Sequence, residues 1–325
     1  MTSAVVTPDV PAFEELVDPD AQLKQLGEGY QFTEGPVWSP REACLYFSDI
    51  PSDDRWRWSA ERGMELDAHP TFKANGLVLD REGALVACEQ LSSCVVRIRP
   101  GCARELIAYH YGGRYLNSPN DIAVRASDGG IYFTDPDYGR WNDWIGQERS
   151  RELGFRGVYR IPPEPDGEAR LLVPEGEFDQ PNGLCFSPDE RLLYVNDSDH
   201  GHIKAFDVAP DGTLGPARIF AQGIGTGFSD EDSDAIREAR HQELHDAGAV
   251  DGMKCDELGN VWVTGPGGVW VLGPAGERLG RIRAPEVVGN LTWGGADLRT
   301  LFLMTSTTVH SLPTRVAAAR LVHHV

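Results

Sequence analysis

The chain has 325 residues, of which 41% are hydrophobic and 25% charged, so it carries enough apolar matter for a sizeable core and is not a disordered polymer. Its formal net charge of −20 and pI near 4.8 make a surface that repels phosphate backbones and anionic lipid, which argues against nucleic-acid and membrane partners. No stretch approaches the ~18 consecutive apolar residues of a spanning helix, and residues 1–10 lack the basic and apolar regions of a secretory leader, so they read as a mobile tail on a cytoplasmic protein.

In chain order, a tail over residues 1–21 precedes a strand-like segment at 21–30 (AQLKQLGEGY) that has no evident partner nearby. One phrase then recurs six times: an amide or carboxylate residue, usually a glycine, an apolar alternation, a turn, and a strongly β-forming run. The copies start at Glu34 (EGPVWSP, CLYFSDI), Asn75 (NGLVLD, GALVACE), Asn120 (NDIAVRA, GIYFTDP), Asn182 (NGLCFSP, RLLYVND), Asp251 (DGMKCDE, NVWVTG) and Asn290 (NLTWGG, TLFLMTS). Their spacings of 41, 45, 62, 69 and 39 residues fit propeller blades, two of which carry insertions. The complete units show four strands each, whereas the last shows three. The unpaired N-terminal strand supplies the fourth and would close the ring without leaving a sheet edge. The predicted fold is therefore an all-β, six-bladed β-propeller over 22–313, followed by a tail over 314–325.

The insertions cover 138–156, which is polar and aromatic, and 223–249, whose Ser/Asp starts and helix formers predict a short helix. Both are candidate lids over one mouth of the channel. Six cysteines show no CxxC spacing, and Cys44, Cys88, Cys185 and Cys255 fall in apolar strand patterns, as buried small hydrophobes in a reducing compartment do. Trp38, Trp262, Trp270 and Trp293 also sit in strand patterns and read as core between blades, while Trp141 and Trp144 in the first insertion are candidates to face substrate.

Equivalent positions of a closed ring converge on its axis. Glu34, Asn75, Asn120, Asn182, Asp251 and Asn290 would then meet in one small volume. Converging carboxylates resist burial unless something positive is present. A hard divalent cation resolves the conflict, because Ca²⁺, Mg²⁺ and Mn²⁺ favour oxygen ligands; the absence of His and Cys at these positions weighs against a nitrogen–sulfur zinc site. The competing reading is that Asn and Asp before Gly simply make tight turns. Glu34 is no turn former and occupies the same register.

The phrases EGPVW (34–38), ANGLVLDREG (74–83), ACEQ (87–90), LNSPND (116–121), YFTDPDYG (132–139), PNGLCFSPDE (181–190) and VDGMKCDELGNVWV (250–263) together resemble the SMP-30/gluconolactonase/luciferin-regenerating family. The resemblance implies a six-bladed propeller with one divalent ion, Ca²⁺ first, with Zn²⁺, Mg²⁺ or Mn²⁺ as alternatives. It implies that Glu34, Asn182 and Asp251 ligate this ion, with Asn120 beside it. It further implies hydrolysis of a sugar lactone; in such a reaction Asp251 is the first candidate to activate a water, with a neighbouring carboxylate as the alternative, and Asn120 is a candidate to assist. Asn75, Glu89, Arg114, Asn117, Trp141 and Trp144 are the expected substrate contacts. Gln90 stands where relatives often carry His, Tyr115 separates Arg114 from the LNSPND phrase, and Asp137 replaces a proline; all three fall in channel-mouth loops, where substrate identity is set.

Other chemistry is weaker. No G-x-S-x-G elbow occurs. His69, His200, His202, His241 and His245 read as solvated loop residues, and the acidic run 230–234 as a solvated loop rather than a second calcium site. The expected partner is a small-molecule substrate, and the expected state a monomer or weak homodimer. Two alternatives to the sugar lactonase stay open: the same metal-bearing propeller acting on a non-sugar ester, organophosphate or biosynthetic intermediate, and a non-catalytic calcium-binding propeller.

Overall fold

The computed structural model describes residues 4–164, 166–226, 245–246 and 248–319. Six antiparallel sheets follow one another along the chain, each running outward from an innermost strand. The innermost strands are Thr33–Ser39, Ala74–Leu79, Ile122–Val124, Pro181–Phe186, Met253–Cys255 and Val288–Gly294. Each touches the next in this order and the last returns to the first, so the sheets form a closed ring of six blades. The blade that begins at Val288–Gly294 is completed by Lys24–Glu28, with Lys24 opposite Ser311. The orphan strand and the three-stranded last unit are thus partners, as the sequence indicates.

The apolar alternation of the strands serves the joints between blades. Each of six hydrophobic clusters lies between two neighbouring blades. Trp262 and Trp293 meet edge to face at 5.0 Å between the fifth and sixth blades, and Trp38 stacks on Phe302 at 5.7 Å between the sixth and first. Cys44, Cys88, Cys94, Cys185 and Cys255 are buried free thiols and Cys102 is exposed. Because both faces of a blade are covered, four of the innermost strands are buried along their length, and the other two, Ile122–Val124 and Met253–Cys255, have only a half-buried central residue.

The segments read as tails are packed where the structure describes them, which corrects the mobile-tail expectation. Val6–Pro8 pairs antiparallel with Arg278–Arg283 as a fifth strand on the fifth blade. The 3₁₀ turn Pro11–Glu15 then drives Phe13, fully buried, against Gly280, where an added Cβ would lie 2.4 Å from the ring. Arg315 donates to the Glu14 carbonyl at 2.6 Å and pairs with Asp18 at 2.6 Å, strapping this segment to the sixth blade. At the other end, the Ala319 N–H donates to the Cys255 carbonyl at 3.0 Å, so residues 314–319 run beneath the fifth blade. Among the described residues, no helix is long and apolar enough to cross a membrane. The helix expected in 223–249, His241 and the acidic run 230–234 lie outside the described residues.

Candidate active site

The repeat starts do converge, and the glycines that follow them show why. An added Cβ on Gly35 would lie 1.9 Å from the Asn75 carbonyl oxygen, on Gly76 2.5 Å from that of Asn120, and on Gly183 2.2 Å from that of Asp251. On Gly252 it would lie 2.1 Å from the Asn290 amide carbon. At these four glycines the first strand of a blade therefore passes against the next blade with no room for a side chain. The Asn-Gly pairs are points of close approach rather than turns. The carbonyls of these residues are held by hydrogen bonds: Ser48 Oγ donates to Asn75 at 2.9 Å, Gly76 N–H to Asn120 at 2.9 Å and Asn196 Nδ2 to Asp251 at 2.5 Å. With the backbone fixed in this way, the side chains are left to the channel.

Glu34, Asn75, Asn120, Asn182 and Asp251 line one cavity of about 60 Å³. Asn290 does not; its Oδ1 accepts from the Leu291 N–H at 2.9 Å and faces Lys254 Nζ at 3.4 Å. Lys254 also stands 3.9 Å from the buried Asp121, whose carboxylate accepts from the Ile122 and Leu184 N–H groups. Beyond Lys254 lies a separate, mostly apolar cavity of about 50 Å³.

The electrostatics of the polar cavity are unfavourable as they stand. Burial pushes the Glu34 carboxyl up to about 7, with the Asp121 charge adding to the rise, against hydrogen bonds from the Gly35 N–H at 2.8 Å and the Asn290 side chain and the more distant Lys254 charge. Burial, then the Glu34 and Asp121 charges, hold Asp251 well above the ordinary carboxylate range. Asn182 Nδ2 donates to Ser198 Oγ at 3.0 Å, which orients its Oδ1 as an acceptor, and that oxygen is buried with no partner in the protein. Asn75 Oδ1 is likewise buried and unpaired. Two crowded carboxylates beside orphaned amide oxygens are a donor set suited to a hard divalent cation. Among the described residues there is no cluster of three or more His, Cys, Asp or Glu, so an ion here would depend on the amides.

Residues 32–307 match the profile of the SMP-30/gluconolactonase/LRE-like region. The chain belongs to this family. A gluconolactonase of Zymomonas mobilis is 28% identical over 332 aligned positions, covering 97% of this chain and 87% of that protein. The solved structure of a Xanthomonas campestris gluconolactonase superposes with a TM-score of 0.83 at 29% identity, covering 96% of each chain. A regucalcin structure from Agrobacterium tumefaciens, described as a calcium-binding protein, shares the fold with a TM-score of 0.69 at 17% identity, covering 93% of this chain and 98% of that one.

Against this SMP-30/gluconolactonase framework, the structure divides the candidate substrate contacts. Asn75 and Trp144 line the cavity. Glu89, Arg114, Asn117 and Trp141 do not. Glu89 is buried but paired with Arg104 at 2.8 Å. Arg114 is exposed on an outer hairpin, with its guanidinium toward the Glu152 carbonyl. The Asn117 Nδ2 group donates to the Asp135 and Phe155 carbonyls at 3.2 and 3.0 Å. Trp141 packs edge to face on Tyr138 at 4.9 Å and donates to Asp137 at 3.1 Å. His245 is also not solvated, being buried with Nε2 2.9 Å from the Ala284 carbonyl oxygen.

Residues that sequence reasoning missed complete the wall: Phe32, Ile50, Gln90, Tyr138, Ile145 and Ser198. Gln90 carried a signal, since it stands in the ACEQ phrase where relatives often carry His. Ile145 carried a weaker one, lying in the first insertion.

Proposed function

We propose that the protein is a metal-dependent lactonase that opens a sugar-type lactone ring by hydrolysis. The observation that carries this reading is the meeting of Glu34 and Asp251 with the unpaired Asn182 oxygen, in a chain that is 28–29% identical to two gluconolactonases. Glu34, Asn182 and Asp251 would hold the ion, with Asn120 beside it. A divalent ion bound there would polarise the ester carbonyl and acidify a water.

The chain's own groups then do the proton work. Asp251 remains partly open to the cavity and accepts the proton of the attacking water. Asn120 offers its amide N–H to the carbonyl oxygen as negative charge develops there. Asn182 gives one of its two amide N–H groups to Ser198 and also hydrogen-bonds the Asp251 carboxyl, which steadies the base. Asp251 returns the proton to the ring oxygen as the carbon–oxygen bond breaks, giving the free hydroxy acid. Calcium is the first choice of ion because the donors are hard oxygens, two of them carboxylate groups.

The test is lactone hydrolysis, followed by acid release, with protein stripped of metal and reloaded with Ca²⁺, Mg²⁺, Mn²⁺ or Zn²⁺. Turnover should return with one of these ions and vanish in Glu34→Gln. Asp251→Asn should lose about 10²–10⁴-fold in kcat. Full activity of a metal-loaded Asp251→Asn protein would remove Asp251 from the role of base.

A further inference from the structure

Apart from the Asn182 oxygen at the proposed ion site, the cavity's unpaired acceptors lie on one part of its wall. Asn75 Oδ1 and Gln90 Oε1, both from the second blade, are buried acceptors without a partner in the protein. An unpaired buried acceptor is destabilising, and a donating ligand hydroxyl removes that cost. Another stretch of wall is largely carbon: Phe32, Ile50, Trp144 and Ile145 pack together with the Tyr138 ring in a cluster separate from the six cores between blades. Phe32 and Trp144 lie with ring centroids 5.9 Å apart.

This carbon wall is held firmly. Lys73 Nζ donates to the Trp144 carbonyl at 2.7 Å and the Pro51 carbonyl at 3.2 Å, tying the insertion to the first blade's loop. Arg149 Nη2 donates to the Gln90 carbonyl at 2.7 Å. Buried Arg140 donates to the carbonyls of Asn117, Leu116 and Ser150, each at 2.6 Å. An added Cβ on Gly146 would lie 1.9 Å from the Gly139 carbonyl oxygen, so the insertion folds tightly on itself. A ligand must therefore match the wall as it stands, and a hydroxyl set against it would lose water without regaining a hydrogen bond.

We propose that the substrate is a lactone with hydroxyls along one edge, read by Asn75 and Gln90, and an apolar substituent seated on Phe32, Ile50, Trp144 and Ile145. This rests on the lactonase reading and narrows it. Gln90 and Ile145 are then specificity-determining residues.

The experiment compares kcat/KM for D-glucono-1,5-lactone and its 6-deoxy counterpart, in which a methyl replaces the hydroxymethyl group, using metal-loaded protein. The 6-deoxy lactone should be favoured by about tenfold or more. Ile145→Asn should cut that ratio about fivefold. Ile145→Thr, closer in size, repeats the comparison if the asparagine variant fails to fold. Gln90→Leu should lower kcat/KM for both hydroxylated lactones by a larger factor than for unsubstituted δ-valerolactone. A ratio at or below one, or one that neither Ile145 variant moves, overturns the proposal. Calorimetric binding of the two corresponding lactams separates this from the lactonase reading, because it needs no turnover. If no lactone is hydrolysed, the lactonase reading falls, and the lactams decide alone: about tenfold tighter binding of the 6-deoxy lactam supports the proposal, while equal or absent binding overturns it.

Discussion

Gln90 and Glu89 show how finely the site depends on single positions. Successive side chains of a strand point to opposite sides. Sequence reading chose Glu89, the carboxylate, but the cavity takes Gln90, while Glu89 is neutralised by Arg104. Residue type alone favoured the wrong neighbour. The Asn-Gly pairs were ambiguous for another reason: a turn and a point of close approach demand the same glycine, and only the neighbouring blade tells them apart. The contact argument predicts that Gly76→Ala, whose Cβ would lie 2.5 Å from the Asn120 carbonyl oxygen, destabilises the protein by about 1–3 kcal/mol in urea unfolding. It should also weaken metal binding, because Asn120 must move. Asp135 makes a separate prediction. Burial lifts its carboxyl from the ordinary 3.8 to about 7, despite the Asn117 N–H at 2.8 Å and the nearby Arg140. The folded protein then keeps a proton that the unfolded chain releases, so this group's contribution is fully present below about pH 4 and is lost as pH rises to about 7. The loss is at most about 1.4 kcal/mol per pH unit. Asp135→Asn should flatten the slope of unfolding free energy across that window, as urea titrations at stepped pH will show.

At the scale of elements, the first insertion reads poorly from sequence, because its polar composition suggests a loop free to move. The structure shows its arginines turned inward onto carbonyls. Arg140→Met should free the segment 138–156, visible as faster amide exchange there and a several-fold rise in KM, with the exchange of the sixth blade unchanged. The N-terminal segment was misread for a related reason. Val6–Pro8 is too short to announce itself as a strand, and its partner Arg278–Arg283 is remote in sequence. Phe13→Ala should cost about 3–5 kcal/mol, since a fully buried aromatic would leave a void against Gly280. Thermal unfolding followed by circular dichroism checks this.

For the whole molecule, repetition made the fold legible. Six copies of one phrase, a missing strand at one end and a spare one at the other fixed the blade count and the closure before any contact was known. The same repetition located Glu34, Asn75, Asn120, Asn182 and Asp251 at one cavity, because a ring sends equivalent positions to a common axis. What lies off the repeat was not legible: the carbon wall, the straps at both ends and the turning of Asn290 toward Lys254. These depend on insertions or on single departures from the pattern, which periodicity cannot rank.

The closure between Lys24 and Ser311 also sets an order of events in time. A growing chain has Glu34 early and Asp251 late, and the strand that locks the ring waits for its partner until the sixth blade exists. The early blades must persist on their own local pairings while the later ones are made, each with one interface still bare. Catalytic competence cannot accumulate blade by blade. It arrives once, when the two remote ends of the sequence meet.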